Sequence, residues 1–108
     1  MFGAFDSIEL AGASKNIASP THAADKHTIL ENIKVAVDLH KAETLVLTNH
    51  LDCGAYGGSA HFRSYDEEIA FHRKELETAK QITHKIFPHL HIQTFFLTKD
   101  ERGAVQLI

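Results

Sequence analysis

Apolar and polar residues alternate along this chain with two different periods, and the change of period marks the elements. From about Asp25 to Lys41, Ile29, Ile33, Ala36, Val37 and His40 recur at steps of four, three, one and three. That spacing places them on one stripe of a helix, with Glu31, Lys34, Asp38 and Lys41 largely on the opposite side. A second helix starts at Ser64, a good N-cap, with Glu67 three residues on to complete a capping box. Its stripe runs through Ile69, His72, Leu76, Ala79, Thr83 and Ile86, and Phe87-Pro88 closes it because proline has no N–H for the next backbone bond. The charges of this helix, including Glu68, Arg73, Lys74, Glu75 and Glu77, read as a solvated face with some i,i+4 pairing.

Between and around these helices the runs are short and β-branched. Thr44-Leu45-Val46-Leu47-Thr48 is nearly all apolar, the pattern of a strand buried on both faces in a parallel sheet. His91 to Leu97 reads as another strand, and Phe5, Ile8 and Leu10 fit a short one ending at Ala11-Gly12-Ala13. Ser14 to Pro20 is small, polar and Pro-terminated, which predicts a loop. Asp100 to Gly103 predicts a turn, after which Ala104 to Ile108 returns as a short last strand. The order strand, helix, strand, helix, strand implies an α/β fold with a mostly parallel β-sheet flanked by helices and a short C-terminal hairpin. No repeat or linker divides residues 1–108, so a single domain is expected.

Composition narrows the classes of function. The net charge of −3 and pI near 6.3 give no broad electrostatic footprint for nucleic acid or an anionic membrane. No apolar run approaches the roughly 20 residues of a spanning helix. One cysteine among 108 residues excludes an intrachain disulfide, and with no signal-peptide pattern a cytoplasmic address is expected. Nine histidines against that one cysteine turn attention to metal chemistry.

In open α/β sheets ligands bind beyond the carboxyl ends of the strands. The strand Thr44 to Thr48 delivers His50 and Cys53 to that position, and imidazole and thiolate are both zinc ligands. Two intervening residues let the chain turn so that both side chains face one ion, and Gly54 is expected to let the backbone bend just after the sulfur. The plain alternative is a strand-end histidine beside a buried, inert cysteine. A Cys53 thiolate activated by His50 as a nucleophile is a further option, without any accompanying acyl-transfer pattern. The run Gly54-Ala55-Tyr56-Gly57-Gly58-Ser59 lacks the lysine of a phosphate-binding loop and the spacing of a dinucleotide fingerprint, so it reads as a flexible loop bordering the site. His40 and His72 fall on the apolar stripes and read as packed core-edge groups, and His61 as an exposed loop histidine.

The segment Leu45-Val46-Leu47-Thr48-Asn49-His50-Leu51-Asp52-Cys53-Gly54 resembles the second zinc-ligand segment of the β-class carbonic anhydrases, a hydrophobic strand followed by His-x-x-Cys-Gly. Ile8-Glu9-Leu10-Ala11-Gly12-Ala13 is similar to that family's strand ending in an Ala-Gly pair, which makes Gly12 and Gly54 candidate active-site backbone positions. The stretch Ile92 to Leu97 and then Arg102 to Leu107 resembles its closing strand, glycine turn and final strand. The resemblance implies a β-carbonic-anhydrase-like fold, Zn2+ held by His50 and Cys53, and reversible hydration of carbon dioxide to bicarbonate. It also implies a homodimer or higher assembly. The family's Cys-x-Asp-x-Arg strand, which supplies a further zinc ligand and an Asp-Arg pair, has no counterpart before Phe5, and the first arginine is Arg63. The chain is therefore expected to be N-terminally truncated relative to the family. A catalytic zinc normally takes three protein ligands plus water, so a third ligand is required from His61, Asp52 or a partner chain. The competing expectation is a non-catalytic binding or assembly module that has lost the first ligand strand.

Overall fold

The computed structural model describes residues 14–99 and the backbone of the strand at 105–107. Within them the order is α1 (Lys15–Ala18), α2 (Ala23–Asp38), β1 (Thr44–His50), two 3-10 turns (Gly54–Tyr56 and Ser59–His61), α3 (Tyr65–Ile86), β2 (His91–Lys99) and β3 (Val105–Leu107). The expected strand at Ile8–Leu10, the Ala-Gly pair with Gly12, and the turn at 100–103 lie outside the described residues.

β1 and β2 pair in parallel from Thr44↔His91 to His50↔Leu97, and α3 forms the crossover between them. β3 pairs antiparallel with β2, from Leu97↔Leu107 to Lys99↔Val105. The α/β class follows from this βαβ unit. α3 begins as its sequence signal predicts: the Ser64 hydroxyl accepts the Glu67 N–H at 3.1 Å from an extended N-cap backbone. At the other end the Phe87 N–H bonds the Thr83 carbonyl at 2.9 Å before Pro88 stops the ladder.

One apolar cluster holds these elements together: Ile17, Ile29, Ile33, Leu47, Leu76, Ala79, Leu90, Ile92 and Phe96. Phe96 is buried in β2, and burial of a side chain that size contributes about 1.5–3 kcal/mol. From α3 the predicted stripe supplies His72, Leu76, Ala79 and Thr83 to the buried side, while Ile86 is 49% exposed.

Four local expectations are corrected. Lys15–Ala18 is a helical turn rather than loop, because Ile17 is fully buried against the core and that burial outweighs the polar, small composition around it. α2 ends at Asp38, so His40 lies beyond the helix at an exposed position instead of at the core edge. β1 is buried on one face only: Leu47 and Asn49 face inward, whereas Thr44, Val46, Thr48 and His50 are exposed. α3 packs against both β1 and β2, and a strand is buried on both faces only when layers cover both. Finally, Glu68 is not part of the solvated face of α3; it is 2% exposed. No helix among the described residues is long and apolar enough to cross a membrane.

Candidate functional site

Side chains alternate between the two faces of a strand, so the last two residues of β1 diverge. Asn49 is buried on the α3 side and His50 is exposed on the other. The chain then turns through Leu51 and Asp52, where Asp52 adopts φ +60, a left-handed conformation that aspartate tolerates better than most residues. Cys53 follows as a buried residue, 4% exposed.

His50 is oriented by its own backbone. Its Nδ1 lies 2.9 Å from the Leu51 carbonyl oxygen, which can only accept. The ring therefore donates from Nδ1, and in the neutral form Nε2 carries the lone pair. A carbonyl on the far ring nitrogen is the arrangement that commonly fixes the tautomer of metal-binding histidines. The donor chemistry of His50 and Cys53, one imidazole and one thiol, fits zinc. It is incomplete in number: among the described residues no three His, Cys, Asp or Glu side chains are grouped to hold a metal.

The two nearby candidates for a third ligand are engaged elsewhere or set apart. The Asp52 Oδ1 accepts the Ser59 N–H at 2.7 Å. His61 is exposed and packs edge-on to Phe62, with ring centroids 5.3 Å apart.

The glycine-rich run is hydrogen-bonded into structure rather than left as open loop. The Cys53 carbonyl accepts both the Tyr56 N–H at 3.1 Å and the Gly58 N–H at 2.9 Å. The conformational need for glycine falls at Gly57 (φ +89) and Gly58 (φ +75), not at Gly54, where an added Cβ would meet nothing within 4 Å. At Gly58 a Cβ would stand 2.9 Å from the Asp52 carboxylate oxygen. The expected bend at Gly54 is thus displaced by three and four residues, into the return of the turn toward Asp52.

Behind this turn lies a buried polar layer on α3. Glu68 Oε2 accepts the Asp52 N–H at 2.8 Å, and the Ser59 hydroxyl donates to the same carboxylate at 2.8 and 3.1 Å. One helical turn on, His72 Nδ1 accepts from the Asn49 amide at 3.0 Å, while the Asn49 carbonyl oxygen accepts from the buried Ser14 hydroxyl. The Asn49 amide also lies 3.4 Å from the Tyr56 hydroxyl.

His72 is fully buried, stacked on Phe96 at 5.0 Å and edge-on to Tyr56 at 4.8 Å. Its Nε2 has no hydrogen-bond partner among the described residues, and Glu68 Oε2 is 4.0 Å away. Burial pulls the His72 pKa below the usual histidine value, with the attraction of Glu68 opposing and His50 adding to the depression. Burial likewise raises the Tyr56 pKa, so its phenol stays protonated at neutral pH.

The sequence singles out His50 and Cys53 as candidates and gives the buried character of His72, whereas Asn49, Ser59 and Glu68 are not among its candidates. One signal was available. Glu68, His72 and Leu76 stand at four-residue steps, so the buried stripe extends one turn further toward the N-terminus through a carboxylate.

Comparison with known proteins bears on this geometry. The profile of the family described as "Putative carbonic anhydrase" matches residues 2–108. An uncharacterized protein of Rickettsia conorii is 31% identical over 107 residues, covering 96% of this chain and 56% of that protein. An uncharacterized protein of Rickettsia bellii is 28% identical over 107 residues, covering 96% and 64%. The chain thus spans between about half and two thirds of the length of these relatives. No solved structure gives a significant match. With the match running over nearly its whole length, the chain belongs to this carbonic-anhydrase-like family.

Proposed function

We propose that this chain contributes His50 and Cys53 to the zinc centre of a β-carbonic-anhydrase-like protein, and that the completed centre catalyses the reversible hydration of carbon dioxide to bicarbonate. The observation that carries the reading is the orientation of His50. Its Nδ1–H is tied to the Leu51 carbonyl, which leaves the ring's lone pair on Nε2 at the carboxyl end of β1, with the Cys53 thiol in the following turn. The family membership supports it. Zinc, when bound, supplies the Lewis acidity that makes hydroxide available from water near pH 7.

The chain's own residues prepare the surroundings. The Leu51 carbonyl sets the His50 ring, burial keeps the Cys53 sulfur from bulk water, and the depressed pKa of His72 keeps a second positive charge away from the site at neutral pH. The remaining ligand comes from a segment outside the described residues or from a second copy of the chain. The second source agrees with the homodimer expected from the resemblance.

Zinc analysis of the purified, reduced chain tests the reading. One zinc per site is expected, lost in His50→Ala and Cys53→Ser, with stopped-flow hydration above the uncatalysed rate in the loaded protein. Protein that stays zinc-free in metal-replete buffer would overturn the assignment. Full zinc occupancy without turnover would favour the non-catalytic module.

A further inference from the structure

The residue before each candidate ligand is held by α3. Asn49 precedes His50 and gives its amide to His72. Asp52 precedes Cys53 and gives its backbone N–H to Glu68. Glu68 and His72 are four residues apart, so they project from the same side of the helix one turn apart, and both are almost fully buried.

The Glu68 contact is the more consequential. Asp52 sits in a left-handed conformation that costs a non-glycine residue free energy, and such a residue persists only when its surroundings over-determine it. Three contacts do so. Its N–H is taken by Glu68, its carboxylate takes the Ser59 N–H, and the Ser59 hydroxyl returns to Glu68. The ring closes on the turn from both ends, and Gly58 leaves just enough room beside the Asp52 carboxylate for it to do so.

We propose that Glu68 is a positioning residue: its buried carboxylate clamps Asp52 and Ser59, and so fixes the turn that sets Cys53 relative to His50 and shields the thiol. The turn geometry stands on the contacts alone. Its consequence for metal affinity rests on the zinc reading given above.

Cys53 is the chain's only cysteine, so a thiol reagent reports on this turn and nothing else. Iodoacetamide is reacted with the metal-free, reduced chain, and the rate is taken at its alkaline plateau so that thiol ionisation does not enter. Removing the acceptor that the Asp52 N–H and the Ser59 hydroxyl share is expected to open the turn, and Glu68→Ala should raise the Cys53 rate by about tenfold or more. Glu68→Gln retains one acceptor oxygen and should fall between Glu68→Ala and the unaltered chain. Ser59→Ala should give a smaller increase, and the Glu68→Ala/Ser59→Ala double variant no more than Glu68→Ala alone.

Ala79→Gly is the control. It loosens the same helix from a buried position in the apolar cluster and should leave the rate within about twofold. A Glu68→Ala rate no faster than that of Ala79→Gly overturns the clamp. If Glu68→Ala does not fold, unchanged rates in both Glu68→Gln and Ser59→Ala overturn it equally.

Zinc titration of the same proteins then reads the metal consequence. Affinity should fall about 10-fold to 100-fold in Glu68→Ala, the usual loss when the support of a ligand is removed, and not in Ala79→Gly. An unaltered chain that takes no zinc would sink the zinc reading, while the alkylation rates would still decide the clamp.

Discussion

The two halves of α3 are built on opposite physical terms. Toward its C-terminal end Leu76, Ala79 and Thr83 are buried, and even the Thr83 hydroxyl is satisfied within the helix, donating to the Ala79 carbonyl at 2.8 Å. Toward its N-terminal end the buried positions are Glu68 and His72, whose polar atoms reach outward to the β1 strand end and its turn. Burying a carboxylate and an imidazole costs free energy that an aliphatic pair would not, and the cost is offset only as far as each polar atom finds a partner. His72 Nε2 finds none among the described residues. The distal half of the helix anchors the sheet, and the proximal half gives up packing energy to shape one turn.

That contrast can be broken most sharply from the apolar half. Leu76→Ala should cost about 2–5 kcal/mol in urea unfolding, the range for a core leucine whose cavity relaxes only in part. In the fraction that remains folded, the Cys53 alkylation rate should be unchanged. A large local effect on Cys53 would mean that the two halves are not separable.

Gly58→Ala probes the proximal half with a smaller energetic effect. The backbone at φ +75 disfavours a side chain, and the new Cβ meets Asp52 Oδ1 at 2.9 Å. A loss of about 1–3 kcal/mol is expected by thermal unfolding, with Cys53 exposed to thiol reagents at the same time. Stability lost without any change at Cys53 would count against the coupling of the glycine turn to Asp52.

Ser64→Ala removes the cap at the start of that half, with the loss of one bond to the Glu67 N–H. The expected cost is about 1 kcal/mol, measured by urea unfolding at constant m-value.

The smallest effect is a pH dependence. A histidine whose folded pKa lies below its unfolded value leaves the unfolded chain binding more protons in the window between the two. The contribution is fully present above the ordinary value of 6.5 and is lost as pH falls from there toward the lower folded pKa. Unfolding free energies measured at about pH 7.5 and about pH 5.5 should therefore decline less in His72→Gln than in the unaltered chain. Equal slopes would show that His72 titrates alike in both states.

Legibility in the sequence followed the same division. The stripe of α3, its Ser64 cap and its Phe87-Pro88 stop were readable because local spacing and capping chemistry decide them. The one-turn helix at Lys15–Ala18 was not, since its composition reads as loop and only the burial of Ile17 makes it helical. At the site, His50 and Cys53 stand out as residue types at a spacing. Glu68 looked like one more surface charge among several on α3. A charge is recognisable as a buried clamp only when the donors it serves, Asp52 N–H and the Ser59 hydroxyl, are known to lie against it. These donors are 16 and 9 residues away in the chain, beyond the reach of any helical period.

Local order along the chain determined the βαβ core: two amphipathic stripes and short β-branched runs have few other ways to bury their apolar faces. It also determined that one imidazole and one thiol leave the same strand end. The fold alone decided that β1 keeps one face exposed, so that Asn49 and His50 part company at its end. It decided as well that the bend needing glycine falls at Gly57 and Gly58, and that a buried carboxylate of α3 holds the turn between the two donors. Periodicity records how a residue relates to its own helix or strand, whereas the partners of a buried polar atom come from elsewhere in the chain and are chosen only when the layers pack.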